Sequence, residues 1–322
     1  MPKCTVANIY DSKSYGVSHY VGELTAALNK HSVFNAVKIS RLFIYNRYHV
    51  KVYHYSNSTR SVLIDIVLSP GKKVVVVHDV LPRSKLLQLF AYYGYRLINL
   101  RKPLFIVHTK NALSLFCATA PFIDTNRIYV IPHGTTIPTV NLHDRSSARK
   151  KFEISKSTTV LLMVGGISRA RGQIEFLRSY RDNSPDNAYL LIAGAISDPS
   201  VLSMINQISN CKYFGFVSPE ILKELYLCAD VLVSYRTSSV GESSGPIATG
   251  LGYGLPVITS VVTPFADMVG EAGIKYDIKN DSLQAVINSI AANYASLSKA
   301  AIVAAQNSSW ETVAGKFEVL LV

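Results

Sequence analysis

Val240-Gly-Glu-Ser-Ser-Gly-Pro-Ile-Ala-Thr-Gly-Leu-Gly-Tyr-Gly-Leu-Pro-Val-Ile258 decides the fold. It follows Ala229-Asp-Val-Leu-Val-Ser-Tyr235, a short apolar run that reads as a strand buried on both faces of a parallel sheet. The stretch opens on an acid, Glu242, continues through Ser243, Ser244 and Gly245, and passes into about two turns of small residues. Gly254-Leu-Pro256 stops them, and Val257-Ile-Thr-Ser260 reads as the next strand. A strand, a loop of free backbone N–H groups and a helix start together make an anion site. In an open α/β sheet such a loop lies at the carboxyl end of the strands, where ligands sit. The same residues also satisfy a plain strand-to-helix turn with Ser243 or Ser244 as N-cap.

The pattern recurs on both sides of this stretch. Residues 158–164 read as a strand that runs into Gly165-Gly-Ile-Ser-Arg169-Ala-Arg171-Gly172 and then a helix over 173–180. Two glycines, two arginines and a helix start can cradle a diphosphate; a solvated basic turn is the other reading. Further upstream, Lys72-Lys-Val-Val-Val-Val77 reads as a central strand ending in His78-Asp79. That polar pair lies at the ligand edge of a sheet, although a lone histidine is also commonly a satisfied core residue. Residues 5–10 read as the first strand, followed by a polar loop around Gly16 and a helix over 20–28. A single glycine is not the dinucleotide fingerprint; Gly16 either admits a ligand phosphate or serves an ordinary turn. Strands over 104–107, 127–131 (ending in the Pro132-His133-Gly134 turn), 189–193 and 213–216 alternate with helices over 111–117, 145–152, 219–226 and 283–305. A last helix begins at Ser309-Trp310. Alternating strands and helices in both halves predict an α/β protein of two doubly wound, parallel-sheet, Rossmann-like domains facing across a cleft. The polar, Pro138-containing segment 135–144 sets the boundary: residues 1–138, joined by 309–322, and residues 139–308.

With 322 residues, two domains of roughly 100–200 residues each are expected. Apolar residues make up 48%, enough for full cores, yet no apolar run of about 18 residues suggests a spanning helix. The N-terminal apolar stretch is too short for a secretory signal. Cys4, Cys117, Cys211 and Cys228 are scattered, which argues against a zinc site or disulfide framework and for a cytoplasmic chain. The net charge of +12 lies wholly in residues 1–123, which carry 16 Lys and Arg against Asp11, Glu23, Asp65 and Asp79. Such a field predicts an anionic partner: a membrane surface, a phosphorylated lipid or nucleic acid. Residues 83–102 are helical, aromatic and basic, with Leu86, Leu89, Phe90, Tyr93 and Leu97 on one stripe. This reads as an ordinary helix packed on the sheet, or as an interfacial helix on a membrane. The bases are interleaved with apolar helix, so no specific nucleic acid is expected.

Over residues 16–310 the chain resembles the retaining, nucleotide-sugar-dependent glycosyltransferases of the GT-B fold, family four. Gly165 to Gly172 matches the family's glycine, arginine and lysine-before-glycine pattern, with Gly166 at the arginine position and Arg171 at the lysine position. Glu242 matches the first of the family's paired glutamates, whereas the second would fall at Thr249 or Gly250. Gly16 matches the family's glycine loop, His78 a strand-end histidine that in relatives contacts the transferred sugar, and Trp310 the aromatic opening the last helix.

The resemblance implies transfer of a sugar, with retention, from a nucleoside diphosphate donor to a glycan or lipid-linked phosphate acceptor. Arg169, Arg171 and N–H groups near Gly16, Ser244 and Gly245 would stabilise the departing diphosphate. Glu242 and His78 would orient the sugar, with Gly165 and Ser243 beside the donor. The nucleotide sugar is a co-substrate, and neither cofactor nor metal is expected: there is no Asp-x-Asp pair. A non-catalytic relative that binds nucleotide sugars, or a basic membrane- or nucleic-acid-binding module, are the competing readings.

Overall fold

The structure, a computed structural model, describes residues 3–40, 48–57, 62–140, 142–168, 172–183, 185–196, 198–261 and 264–322. The chain divides into two compact units. Unit 1 comprises Met1–Gly134, Val240–Gly245 and Ser308–Val322; unit 2 comprises Thr135–Ser239 and Pro246–Asn307.

Unit 1 begins with β1 (Cys4–Tyr10), α1 (Tyr15–Lys30), β2 (Phe34–Ser40), β3 (Val50–Ser56) and α2 (Leu63–Leu68). It continues with β4 (Lys72–Asp79), α3 (Lys85–Asn99), β5 (Leu104–Val107), α4 (Lys110–Thr119) and β6 (Ile128–Val130). Every pairing is parallel, in the order β2-β1-β3-β4-β5-β6. The valine run of β4 shows why. Val74 and Val76 join Val6, Tyr20 and Leu24 on one face of the sheet. Val75 and Val77 join Tyr53, Phe105 and Phe116 on the other. A strand coated on both faces has no polar alternation.

Unit 2 holds α5 (Leu142–Lys151), β7 (Thr159–Val164), α6 (Gln173–Asn183), β8 (Ala188–Ala193), α7 (Pro199–Ile205), β9 (Cys211–Tyr213) and α8 (Pro219–Cys228). Then come β10 (Val231–Val233), α9 (Gly245–Gly252), β11 (Val257–Ser260), α10 (Ala266–Val269), β12 (Gly273–Tyr276), α11 (Leu283–Ala292) and α12 (Tyr294–Asn307). Its parallel sheet runs β12-β11-β10-β7-β8-β9. The strand order reverses beside β1 in unit 1 and beside β7 in unit 2, and ligands bind at the carboxyl ends of strands at such switch points.

The last helix, α13 (Trp310–Leu321), belongs to unit 1, capped by Ser309 Oγ accepting from Thr312 N at 3.2 Å. It buries Val313, Phe317 and Leu321 in the same cluster as α1. At roughly 1.5–3 kcal/mol per side chain, that burial contributes up to about 9 kcal/mol before ordering entropy. Glu318 also pairs with His31 at the end of α1, 2.8 Å away.

Three expectations shift. The single helix over 283–305 is two, because the Asn293 backbone N–H and side-chain amide both donate to Ser289 O, at 3.1 and 2.9 Å. The strand expected ahead of the Pro132-His133-Gly134 turn is Ile128–Val130, one residue shorter at each end. The strand expected over 213–216 is Cys211–Tyr213, and Gly215 turns the chain at φ +69°. Among the described residues no helix is long and apolar enough to cross a membrane.

Candidate active site

Four neighbouring strands of unit 1 each end near a histidine. His54 lies in β3, His78 in β4, His108 one residue beyond β5 and His133 three beyond β6. Parallel strands bring these ends to one edge, where Tyr20 of α1 sits among them. Its ring centroid lies 5.0 Å from those of His78 and His133, 5.2 Å from His108, 5.6 Å from His54 and 5.1 Å from Trp310. Gly134 makes this possible: a Cβ there would overlap the Trp310 indole.

The rings are wired to each other and to the backbone. His54 Nδ1 lies 3.1 Å from His78 Nε2, and His54 Nε2 lies 3.3 Å from the buried Asn8 Oδ1. His108 Nδ1 donates to Ile131 O at 2.9 Å, and His133 Nδ1 to Gly134 O at 2.8 Å. Burial pushes His54 and His133 down to about 3, with the neighbouring His108 adding to it. Burial likewise lowers His108 to about 4 against the pull of Ile131 O, and holds His78 well below the ordinary histidine range. All four are therefore neutral at pH 7, able to orient a hydroxyl but not to supply positive charge. The buried Tyr20 Oη and His108 Nε2 have no hydrogen-bond partner among the described residues, so a bound polar group would satisfy them.

Asp79, the other half of the expected polar pair, is structural. Its carboxylate accepts from Asn57 N and from Ser56 Oγ at 2.9 Å, across the register shift between β3 and β4. Asn57 Nδ2 in turn donates to Val80 O at 2.7 Å, fixing the chain just past His78. The segment Val240–Gly245 is fastened to that same turn. Val80 N and Leu81 N both donate to Val240 O, at 2.8 and 2.9 Å. Gly241 has φ +78°, and a Cβ on it would meet Val80 Cγ2 at 2.5 Å.

Glu242 is thereby placed beside Arg83. Arg83 Nη2 donates to Oε1 at 2.8 Å, and Val240 N donates to Oε2 at 2.8 Å. Burial alone would raise this carboxyl, but the Arg83 guanidinium and backbone N–H groups outweigh it and hold it below the usual carboxylate range. Arg83 therefore does not belong to a free basic helix, as residues 83–102 suggested: it precedes α3 and neutralises the site glutamate. Ser243 is half-buried and Ser244 buried, leading into α9 at Gly245. A Cβ on Gly245 would lie 3.9 Å from His133 Nε2.

Gly16 is not a turn glycine. It lies inside α1, has no positive φ, and a Cβ on it would meet nothing within 4 Å. No described residue crowds a side chain at that position.

In unit 2, Gly165 follows β7 at the switch point with φ +109°. Gly194, after β8, has φ +141°, and a Cβ on it would overlap the Gly165 carbonyl. Gly172 closes the loop with φ +78°, where a Cβ would meet Thr237 N at 2.9 Å. Arg169 and Arg171 lie outside the described residues. The missing second glutamate has a packing explanation: a Cβ on Gly250 would meet Leu232 Cδ2 at 2.9 Å, and Thr249 is bonded to Tyr226. Neither position offers a carboxylate to a ribose.

Of the expected site residues, the structure places His78 and Trp310 in the cluster around Tyr20, Glu242 beside Arg83 and Gly165 at the unit 2 switch point; Tyr20, His54, His108 and Gly194 were not among the residues expected. The available signal was repetition: four successive apolar strands each stop near a histidine.

The sequence profile of the family described as glycosyl transferases group 1 matches residues 144–308. No curated protein sequence matches the chain. Among solved structures, HepE from Anabaena in complex with UDP and glucose is similar at TM-score 0.78 and 14% identity, covering 99% of each chain. WaaG, a glycosyltransferase involved in lipopolysaccharide biosynthesis, is similar at TM-score 0.70 and 14% identity, covering 98% of this chain and 99% of its own. A glycosyltransferase from Rickettsia africae follows at TM-score 0.74 and 14% identity, over 100% of this chain and 98% of its own. The profile spans more than half of the sequence and the two Rossmann-like sheets have the GT-B strand arrangement, so the chain belongs to the glycosyl transferases group 1 family.

Proposed function

We propose that this protein transfers a sugar from a nucleoside diphosphate sugar to a glycan or lipid-linked phosphate acceptor at an anionic membrane surface, with retention at the anomeric carbon. The observation that carries the donor assignment is the loop after β7. Gly165 sits at the switch point of a parallel sheet with positive φ, held by a second glycine, and the loop leads into α6. HepE, which shares the fold, is described in complex with UDP and glucose.

Diphosphate leaves as the anomeric carbon–oxygen bond breaks, and its growing charge needs fixed positive partners. Arg169 and Arg171 supply guanidinium groups, and the N–H groups near Gly245 supply a helix-end dipole. No metal is required in this reading. Glu242, ionised at neutral pH, accepts hydrogen bonds from sugar hydroxyls, while the neutral His78 orients another. Ribose is held without a carboxylate.

A thermal-shift screen against UDP, GDP and their sugars tests the donor, because a ligand of the folded state raises the melting temperature by mass action. Proton NMR of the product tests retention. The expected result is stabilisation by one nucleotide series, lost in Arg171→Ala, with an α-linked donor giving an α-linked product. No shift with any nucleotide, or a shift untouched by Arg171→Ala, would overturn the donor site; an inverted product would overturn retention.

A further inference from the structure

Helix α3 has two apolar stripes on opposite faces. Ala91, Gly94, Tyr95 and Ile98 are buried in unit 1, with Tyr95 edge-on to Phe116 at 4.8 Å between centroids. Leu86, Leu89, Phe90, Tyr93, Leu97 and Leu100 face outward, spaced as one helical stripe, with Leu86 86%, Leu89 74% and Leu100 73% exposed. The stripe that sequence spacing offered either to the sheet or to a membrane interface is thus the exposed one. Alongside it, Ile64 and Leu68 of α2 are 65% and 57% exposed, and Arg101 Nε is bonded to Val67 O. A contiguous apolar surface of this kind marks a contact site.

Its charge frame says what the contact is. Between Val80 and Ile123 the sequence has no Asp or Glu. Lys85, Arg96, Arg101 and Lys102 are all exposed around the stripe. A second copy docking on this face by two-fold symmetry would bring the same bases together with no acids to pair them. Lipid headgroups supply both what the leucines and what the bases lack: an apolar layer beneath a sheet of phosphates.

We propose that this face of α3 seats unit 1 on an anionic bilayer. Leu86, Leu89, Phe90 and Leu97 enter the boundary between headgroups and acyl chains; Tyr93 spans it; Lys85, Arg96, Arg101 and Lys102 hold the phosphates. Docking deepens the membrane part of the proposed function, rests on unit 1 alone, and is independent of which sugar is transferred.

The test is co-sedimentation of the full-length protein with phosphatidylcholine vesicles, with and without about 30 mol% phosphatidylglycerol. Binding to the anionic vesicles should exceed binding to neutral ones by about tenfold or more and weaken at about 0.5 M salt. Leu86→Glu/Leu89→Glu should lower it by about tenfold or more while leaving the melting temperature and nucleotide binding unchanged, since both side chains are solvent-exposed. The Leu89→Trp variant should show blue-shifted emission quenched by brominated acyl chains. Equal binding to neutral and anionic vesicles, wild-type binding by the double glutamate variant, or unquenched emission from the Leu89→Trp variant would each overturn the proposal. So would concentration-dependent dimerisation lost in the double variant without any vesicle binding, which would show that a second copy covers the face.

Discussion

Acidification from about pH 7.5 to about pH 5 perturbs unit 1 through two rings it buries almost completely, His54 and His108, which are 2% and 3% exposed. Burial sets their folded values at about 3 and about 4, against an unfolded value near 6.5. The unfolded chain therefore takes up protons first as pH falls. Stability fully present above about pH 6.5 is lost as pH drops towards the folded values. At about pH 5 each ring still resists protonation over roughly 1.5 units, which costs about 2 kcal/mol per ring and about 4 kcal/mol for the two. Domains have only about 5–15 kcal/mol to lose. The protein reports this directly, because its single tryptophan, Trp310, lies in the cluster. Urea unfolding followed by Trp310 fluorescence should show unit 1 losing at least on the order of 4 kcal/mol between the two pH values, since the lowered His78 and His133 add to it. His54→Gln should lose about 2 kcal/mol less than the wild type over the same pH interval, whatever its stability at neutral pH. A urea midpoint that does not move with pH in the wild type, or that moves equally in His54→Gln, would refute the reasoning.

Other expectations can be checked on single variants. Gly134→Ala drives a methyl into the Trp310 ring, costs about 1–3 kcal/mol, and should red-shift the emission; an unaltered spectrum would show that the close approach is not real. Gly194→Ala strains a backbone at φ +141° and pushes on the Gly165 carbonyl, costing roughly 1–3 kcal/mol; calorimetry should find UDP affinity reduced by about tenfold. Gly16→Ala should behave oppositely on stability, raising it by roughly 0.4–1 kcal/mol because the site is helical and open, yet weaken donor binding by blocking a ligand. Arg83→Met leaves Glu242 with burial as its main influence, so its carboxyl rises; the acidic limb of the transfer rate should move to higher pH, and a fixed limb would show that Glu242 does not titrate in the reaction.

The fold was legible where burial leaves a local trace. Val74 to Val77 could only be a central strand, and Gly254-Leu-Pro256 could only interrupt a helix before the next strand. The glycine loop after β7 was legible for the same reason: it comes straight after an apolar strand. What spacing could not show was which of two apolar stripes on α3 faces the sheet, since both are helical in period. Small residues decide it: Ala91 and Gly94 let the helix approach closely while the leucines point away. The site was half legible. His54, His78, His108 and His133 each look alone in sequence, separated by two dozen residues or more, and only the parallel strands assemble them. Likewise the partner of Glu242 lies 159 positions away, at Arg83. Register, not periodicity, makes that pair.

The assignment of α13 to unit 1 bears on the order in which a ribosome can finish the two units. Residues 1–134 emerge early, yet the groove that receives Val313, Phe317 and Leu321 stays unfilled until residues 310–321 have been made. At about 5–20 residues per second that delay is roughly 10–35 s. Throughout it, Tyr20, Leu24 and Val76 are short of their apolar cover, while unit 2 is being synthesised. The half translated first is thus the half completed last, and a released chain truncated before Trp310 should be cut by protease in unit 1 and resist it in unit 2.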